Sequence, residues 1–342
     1  MNLFATADRP WHHDWSTMSD LRAAVQLPST MDFDTSGSTG PSRTWRHRGE
    51  TLWTEAGLLA DLVRPHRPEA VLASAPPRHL YGALATVLLP ARLRLPVWYR
   101  PQYFGALPPP GGRRWLVVAV PWTFAALARR EAWLDQVAHL TVLHSSATVP
   151  ETAARLLERL GGRAEVVEVF GATETGGVAH RVWRPDPPPW RLFPDVELRT
   201  EGPGEQPLRV RGPRLAEGLA EWTLDDFVVP VPDRGFRFAG RRSRLVKVNG
   251  RRVDLDVLEA ALRAALPGMD LAALPVADPT SGEHVDLLVV PEGRTEDEVR
   301  AAIAHLAPRP RRVLLVPAID RSATGKARRV RLTACAGTPP VR

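Results

Sequence analysis

Short apolar runs alternate with helix-like periodic segments from Asp32 onward. The apolar runs have the length of buried strands, whereas in the segments between them apolar residues recur every three or four positions. The predicted strands are residues 69–74, 115–120, 140–144 and 165–170, and the predicted helices are residues 82–89 and 151–160. Because alternating strands and helices form parallel sheets with helical crossovers, this pattern predicts an α/β domain with a mostly parallel sheet.

The pattern changes after a proline-rich stretch at residues 184–194. Short strands predicted at residues 197–200 and 208–211 indicate a short β-rich subdomain. Beyond residue 241 the pattern predicts a small α+β domain, with strands at residues 245–248, 271–277, 285–290 and 312–316 and helices at residues 255–265 and 295–306. We therefore expect a large domain at residues 1–240 and a small, mobile carboxyl-terminal domain at residues 241–342. Residues 1–31 show no clear periodicity, apart from a short helix that Ser19 and Asp20 would cap.

The composition indicates a soluble protein. With 342 residues, of which 44% are hydrophobic, the chain can bury a sizeable core. The single cysteine, Cys335, excludes an intrachain disulfide framework and a cysteine-based metal site, and it fits a reducing, cytoplasmic setting. The longest apolar stretch, residues 115–128, contains Pro121 and falls short of the roughly 20 residues that span a bilayer. No membrane segment is expected.

The positive charge of the chain is concentrated in its last third. The net charge is +7, and residues 241–342 hold 18 Lys plus Arg against 12 Asp plus Glu. A basic surface suits a nucleic acid, a phosphate-rich cofactor or an acidic protein partner. The sequence has no zinc-finger spacing, RNP-like aromatic motif or continuous basic helix, so nucleic acid is not expected.

Lysine is scarce. Of the 45 basic residues only Lys247 and Lys326 are lysines. A compact ammonium group on a flexible stem can do what a guanidinium cannot, so these two positions are candidates for chemistry. Chance placement in an arginine-rich chain is the alternative.

Two glycine-bearing segments suit phosphate binding. Residues 34–40, followed by Pro41, Ser42 and Arg43, combine two glycines with four hydroxyl side chains, although no Gly-Lys-Ser/Thr ends them as in a Walker loop. Residues 170–177 follow a predicted strand, and Glu174 there could hold a magnesium ion that bridges ATP phosphates. The alternatives are a mobile surface loop and a plain glycine-rich turn. Residues 240–253 and 320–329 hold both lysines near glycine-bearing turns.

In this order the four segments resemble the adenylate-forming superfamily of acyl- and aryl-CoA ligases, peptide-synthetase adenylation domains and luciferases. The resemblance implies that ATP and Mg²⁺ are the cofactors. It implies that Lys326 contacts the carboxylate and the α-phosphate, that Glu174 holds the metal, and that Thr173 completes the catalytic set. The implied ATP-binding residues are Thr35, Ser36, Gly37, Ser38, Thr39, Gly40, Arg43, Ser146, Ala147, Phe170, Gly171, Ala172, Thr173, Asp226 and Arg241.

Residues 76–82 resemble the Pro-x-x-His-x-Tyr/Phe-Gly segment of acyl- and aryl-CoA ligases. The residues implied to bind the acid are His79, Tyr81, Trp122 and Gly171. The absence of a Phe-Asp-x-Ser segment argues against an α-amino acid. Further residues that either line an apolar or aryl pocket or belong to the core are Trp98, Tyr99, Tyr103 and Phe104. Lys247, Asn249 and Gly250 resemble the family segment beside the pantetheine tunnel, and Ser243 falls at the hinge.

The resemblance implies an acid–thiol ligase that transfers an aryl or apolar acyl group from acyl-AMP to CoA or to an acidic acyl carrier protein, in secondary metabolism. The alternative is a non-catalytic or adenylation-only nucleotide-binding partner subunit. Four departures from the family pattern are Arg43 for lysine, Ser243 at the hinge, Asp225 for glycine and a phosphate segment that begins near residue 35. Much of the amino-terminal subdomain is thus expected to be missing, and a homodimer partner could cover the exposed sheet.

Overall fold

The structure is a computed structural model that describes residues 3–4, 9–18, 25–34, 43–101, 106–241, 244–248, 251–278 and 282–321. The chain divides into two compact units, of which the larger extends to Ala239 and the smaller begins at Gly240. Each unit has its own hydrophobic core. Within the described residues, no helix is long and apolar enough to cross a membrane.

The larger unit is built around one mixed sheet, beside which β2 and β3 form a separate hairpin. Its strands are β1 (Trp11–Asp14), β2 (Thr30–Asp34), β3 (Thr44–Arg48), β4 (Ala70–Ala73), β5 (Pro96–Tyr99), β6 (Arg114–Ala119), β7 (His139–His144), β8 (Ala164–Ala172), β9 (Gly176–Val182), β10 (Trp190–Leu192), β11 (Glu197–Leu198), β12 (Gln206–Arg211), β13 (Trp222–Val231) and β14 (Gly235–Arg241). Its helices are α1 (Gly49–Val63), α2 (Leu80–Gly82), α3 (Leu89–Leu93), α4 (Pro121–Ala128), α5 (Glu131–Asp135) and α6 (Thr152–Leu160), with 3₁₀ turns at Arg64–His66 and Gly161–Arg163 and a π-helical turn at Ala83–Leu88.

Five neighbouring strands of the large sheet are parallel, in the order β5, β4, β6, β7 and β8. The chain places β5 on one side of β4 and then β6 on the other side. This reversal beside β4 is a topological switch point, where open α/β sheets leave a crevice outside the carboxyl ends of their strands. The predicted α/β class is therefore confirmed, and the carboxyl ends of β4, β6, β7 and β8 share one edge.

Both flanks of the parallel strands differ from the sequence prediction. The β-rich region beyond residue 194 is part of the same sheet, in which β9, β10, β14, β13, β12 and β11 follow β8. At the other end, β1 pairs antiparallel with β5, from Trp11 opposite Tyr99 to Asp14 opposite Pro96. The sequence predicts no element at residues 11–14, because β1 has no apolar run and its side chains pack on the sheet through cross-strand aromatic contacts.

Helix α1 is also missing from the predicted elements. Its buried face includes Leu52, Ala56 and Leu59 at helical spacing, but the same face carries Glu55, which is 1% exposed. The predicted helix at residues 82–89 is one part of a helical segment from Leu80 to Leu93 that contains the π-helical turn.

The smaller unit packs two helices against a five-stranded sheet. Its elements are β15 (Leu245–Val248), β16 (Arg251–Asp254), α7 (Leu255–Ala265), β17 (Leu271–Asp278), β18 (Gly282–Val289), α8 (Glu296–Ala302) and β19 (Val313–Leu315). Side-chain caps begin both helices: Asp254 accepts from the Asp256 N–H, and Thr295 forms a capping box with Glu298. The helix predicted at residues 295–306 is shorter in the structure and ends at Ala302.

Strand β7 ends in a fully buried histidine, His144. Its Nε2 lies 2.9 Å from the carbonyl oxygen of Ala147, to which the neutral ring donates a hydrogen bond. The ring edge packs on Phe124, with 5.3 Å between the centroids. Burial lowers the pKa of His144 to about 4, because the imidazolium would lose its hydration and the bond to Ala147 offsets only part of that loss.

We expect the free energy of unfolding to decrease as the pH falls below 6.5. The unfolded chain protonates His144 near its ordinary pKa of 6.5, whereas the folded chain does so only near 4, so the unfolded state binds more protons in this window. Between about pH 7 and about pH 5 this histidine costs about 2 kcal/mol of stability. Chemical denaturation at both pH values should show a loss smaller by about that amount in His144→Gln, whose amide can still donate to Ala147. Equal losses in both proteins would contradict the assignment.

Candidate active site

The predicted acid- and adenine-side residues gather at the carboxyl edge of the parallel strands. Each segment follows a different strand: residues 76–82 follow β4, α4 follows β6, residues 145–147 follow β7, and residues 170–172 end β8. The predicted residues that the structure places at this edge are His79, Tyr81, Trp122, Ser146, Ala147, Phe170, Gly171, Ala172, Thr173 and Glu174. Residues up to 95 positions apart in the chain are thus brought to the switch point.

Tyr81 joins the segment after β4 to the ends of β6 and β7. Its hydroxyl donates to the carbonyl oxygen of Leu143 at 2.7 Å, and the carbonyl oxygen of Ala119 lies 3.4 Å away. Burial of the hydroxyl raises the pKa of Tyr81 above its usual range, so the hydroxyl keeps its proton. Because Leu143 uses that proton, the ring and the oxygen lone pairs are what Tyr81 can offer to an acid.

His79 is held as a neutral ring. The Nε of Arg78 lies 3.4 Å from its Nε2, which accepts the hydrogen bond. Burial, and then the charge of Arg78, lower the pKa of His79. A neutral His79 that accepts at Nε2 has Nδ1–H as its remaining donor.

Two of the aromatic residues considered as pocket residues belong to the core. Tyr99 is fully buried and packs on Trp11, with 5.3 Å between the ring centroids. Trp98 lies between His12 and Trp115, at centroid distances of 4.3 and 5.4 Å.

The segment after β7 is strained at Ser146. This residue has a φ of +79°, in the left-handed region that a serine rarely adopts. Its Oγ is buried and has no hydrogen-bond partner among the described residues. Backbone strain and an unsatisfied buried hydroxyl are typical of a functional site, since each costs stability without a ligand to compensate.

A tight turn presents Thr173 and Glu174 between β8 and β9. The Thr175 N–H donates to the carbonyl oxygen of Ala172 at 3.1 Å, and the Thr175 hydroxyl accepts from the Ala172 N–H at 3.2 Å. Gly176 follows with a φ of +68°, and a Cβ there would lie 2.5 Å from the Oε2 of Glu55. Within the described part of the chain, neither the Thr173 hydroxyl nor the Glu174 carboxylate has a side-chain partner.

A buried ionic cluster that the sequence did not single out lies under this turn. The Oε1 of Glu55 accepts from the Gly177 N–H at 2.6 Å and lies 3.2 Å from Nη1 of Arg214. Arg214 is 1% exposed and binds Asp195 through two hydrogen bonds of 2.7 and 2.9 Å. Burial by itself lowers the pKa of Arg214, but Glu55 and Asp195 raise it overall, so the guanidinium stays charged. The signal in the sequence is a lone carboxylate, Glu55, on the apolar face of α1.

The other side of the turn region is aromatic. Phe170 contacts Phe238 at a centroid distance of 4.9 Å and Trp190 at 5.7 Å. Trp190 and Phe238 also line a cavity of about 250 Å³, together with Arg181 and Arg237. Asp226, one of the residues implied to bind ATP, lies buried on β13. This strand pairs with β14, which carries Phe238.

Several predicted residues fall where the structure gives no side-chain geometry. Outside the described residues lie Thr35, Ser36, Gly37, Ser38, Thr39, Gly40, Tyr103, Phe104, Ser243, Asn249, Gly250 and Lys326, as do the side chains of Arg241 and Lys247. The described strands β2 and β3 flank the first of these segments, and Arg43 is exposed just before β3.

The described side chains fit a nucleotide with its magnesium ion. Glu174 offers an unpaired carboxylate on a backbone turn, and Ser146 offers an unsatisfied hydroxyl at the same sheet edge. Among the residues that the structure describes, no three His, Cys, Asp or Glu side chains cluster as a metal site. A magnesium ion held by one carboxylate and by phosphate oxygens needs no such cluster.

Known proteins resemble the chain in sequence and in fold. No sequence-family profile matches it. The 4-coumarate–CoA ligase of Cereibacter sphaeroides is 28% identical over 334 residues, which cover 92% of this chain and 74% of that protein. The 4-coumarate–CoA ligase of Rhodobacter capsulatus is 31% identical over 267 residues, covering 75% of this chain and 62% of that protein. The crystal structure of ATP-bound MatB from Rhodopseudomonas palustris superposes with a TM-score of 0.69 at 21% identity, covering 87% of this chain and 66% of MatB.

The chain thus spans between 62% and 74% of the length of these two ligases. The likeness to MatB shows the fold: a large mixed sheet and a smaller α+β unit. The two relatives named 4-coumarate–CoA ligase agree with the superfamily that the ordered motifs predicted. The chain is an acyl-CoA synthetase-like member of the adenylate-forming superfamily.

Proposed function

We propose that this protein activates a carboxylic acid with ATP as an acyl-AMP and transfers the acyl group to a thiol, either of CoA or of a phosphopantetheinyl carrier protein. The observation that carries the proposal is the placement of residues 76–82, 145–147 and 170–174 at one edge of the parallel sheet, the edge that holds the switch point. The two relatives named 4-coumarate–CoA ligase support an acid–thiol ligase.

In the first half-reaction, a carboxylate oxygen of the acid attacks the α-phosphorus of ATP. The bond from that phosphorus to its bridging oxygen breaks, and pyrophosphate leaves. Catalysis of such a displacement rests on positioning and on charge neutralisation. Lys326, on the smaller unit, would neutralise the carboxylate and the α-phosphate, and residues 35–40 with Arg43 would hold the departing pyrophosphate. Bound Mg²⁺ would offset phosphate charge at Glu174.

In the second half-reaction, the thiol sulfur attacks the acyl carbon and AMP leaves, while the thiol proton passes to solvent. Lys247, Asn249 and Gly250 would border the path of the pantetheine arm after the smaller unit rotates about Ser243. The basic charge of residues 241–342 supports an acceptor that carries phosphates or acidic side chains. Both CoA and an acidic carrier protein meet this description.

An aryl acid is the substrate class that the described residues support best. The Tyr81 hydroxyl is engaged by backbone, so its ring would be the surface it offers to an acid. His79 is neutral, and Trp122 begins the segment after β6. Ring and indole surfaces favour an apolar or aromatic acyl group over a charged one. The relatives' name agrees with an aryl acid.

A cytoplasmic setting and a role in secondary metabolism stay predictions, as does a homodimer, which sedimentation of the purified protein would test.

The two lysines separate the two half-reactions. Lys326→Ala should lower acid-dependent ATP–pyrophosphate exchange by at least about 100-fold, because the charge that bridges the carboxylate and the α-phosphate is lost. Lys247→Ala is the matched control, since it removes the other lysine of the chain and should leave exchange within about threefold of the wild type while slowing thioester formation. The screen uses aryl and aliphatic acids with radiolabelled pyrophosphate.

Undiminished exchange in Lys326→Ala would refute the role of that lysine. Exchange by the wild type without thioester on any acceptor would indicate an adenylation-only protein. Nucleotide binding without exchange for any acid would favour the non-catalytic partner subunit.

Glu174→Gln should raise the Mg²⁺ concentration needed for half-maximal exchange by about tenfold or more, because a neutral amide is a poorer ligand for a hard cation. The control is Glu158→Gln, which removes an exposed carboxylate from α6. A Mg²⁺ titration of exchange in the three proteins is the measurement. An unchanged Mg²⁺ requirement in Glu174→Gln would exclude this carboxylate as a metal ligand.

A further inference from the structure

The backbone of the turn between β8 and β9 is held from three sides. The His47 Nε2–H donates to the carbonyl oxygen of Thr173 at 2.7 Å. The Ala216 N–H donates to the carbonyl oxygen of Glu174 at 2.8 Å. The third contact is the hydrogen bond from the Gly177 N–H to Glu55. All three hold backbone groups of the turn, so the side chains of Thr173 and Glu174 stay available to a ligand.

His47 links this turn to the β2–β3 hairpin, which borders the proposed phosphate-binding residues. It is the last but one residue of β3, opposite Met31 of β2, and it is 1% exposed. Its ring edge packs on Phe33, with 6.0 Å between the centroids. Nε2 carries the donated proton, and Nδ1 has no partner among the described residues.

The hairpin that carries His47 is well anchored itself. Arg46 and Asp32 form two hydrogen bonds of 2.7 and 2.8 Å across β2 and β3. The carbonyl oxygen of Arg46 accepts from the Glu217 N–H at 2.8 Å. Because Glu217 directly follows Ala216, the same short segment braces the hairpin on one side and the turn on the other.

We propose that His47 is a positioning residue, which fixes the turn carrying Glu174 relative to the β2–β3 hairpin. The inference rests on the proposed function, in which Arg43, just before β3, contacts phosphates and Glu174 holds the metal ion that those phosphates share. Two groups that grip one magnesium–triphosphate must keep a fixed separation, and a displacement of about 1 Å costs about 100-fold in rate. His47 acts through the carbonyl group of Thr173 and not through a contact of its own with the nucleotide. It sets the distance between the hairpin and the turn that carries Glu174.

Two near-isosteric variants separate positioning from simple packing. The amide nitrogen of Gln reaches the position of Nε2, whereas the amide nitrogen of Asn reaches only that of Nδ1. His47→Gln therefore keeps the hydrogen bond to Thr173, and His47→Asn loses it. We expect His47→Gln to stay within about threefold of the wild type in kcat for exchange, and His47→Asn to fall by tenfold to about 100-fold with a raised Mg²⁺ requirement. The KM for the acid should change less than kcat, because the hydrogen bond of His47 goes to Thr173 and not to His79 or Tyr81.

A merely structural role gives a different result. Both variants would then lose thermal stability and active fraction, and the remaining activity would show the wild-type Mg²⁺ requirement. Equal kcat and equal Mg²⁺ requirement in His47→Gln and His47→Asn would overturn the proposal.

Calorimetric titration with MgATP keeps this test independent of the proposed reaction. If the wild type catalyses no exchange, the proposed function fails, but the positioning role can still be measured as binding. His47→Asn should bind MgATP at least about tenfold more weakly than the wild type and His47→Gln, with a smaller difference for ATP without Mg²⁺. The same affinity in all three proteins, or no detectable MgATP binding by the wild type, would refute the coupling.

Discussion

Parallel backbone pairing of β4, β6, β7 and β8 is the constraint on which the candidate site depends. Ala73 pairs with Val118, Ala119 pairs with His144, and His144 pairs with Glu168, so β4, β6 and β7 end at nearly the same level, whereas β8 continues beyond it to Ala172. The Tyr81 hydroxyl then binds the last carbonyl groups of this edge. Because backbone hydrogen bonds and apolar packing hold the strands, the segments beyond them can carry strained and polar residues such as Ser146 at no cost to the sheet.

The buried ionic cluster shows how a flexible turn is made rigid. Gly176 and Gly177 have no side chains to pack, so the underside of the turn must be filled from elsewhere. Glu55 fills it with a carboxylate that also satisfies the Gly177 N–H, and that carboxylate requires the charge of Arg214. Buried ion pairs add little net stability, but they specify geometry because any shift leaves a charge unpaired. A cluster of this kind suits a turn that must hold Glu174 in one place.

The parallel strands could be predicted from the sequence because burial on both faces gives them uninterrupted apolar runs. The runs at residues 115–120 and 140–144 match β6 and β7 to within one residue at each end. The edge strand β1 could not be predicted, since Trp11, His12 and His13 offer no alternation, and Trp11 and His12 pack on rings of β5. Pattern also missed α1, whose buried face includes a charged residue.

Prediction of the site residues from sequence was limited in the same way, because it could not show contacts between residues distant in the chain. Motifs revealed the segments that follow the strands, because residue type there reflects ligand chemistry. They did not reveal His47, Glu55 or Arg214, whose roles arise from contacts with residues distant in the chain. His47 and Thr173 are 126 positions apart, and nothing in either local sequence indicates the other. Such residues become visible only when the fold places a donor opposite a particular carbonyl group.

The edge strand β1 decides whether the parallel strands under the site are fully paired within one chain. Without β1, β5 would be an edge strand next to β4, the strand at the switch point, and its outer N–H and C=O groups would lack partners. The Trp11–Tyr99 and His12–Trp98 contacts hold β1 to β5 near the carboxyl end of that strand. The parallel strands that carry the site therefore have a hydrogen-bonded neighbour on both sides within one chain. The parallel strands under the site complete their pairing without a second copy of the chain, and the open edge on this side of the sheet, within the described residues, is that of β1.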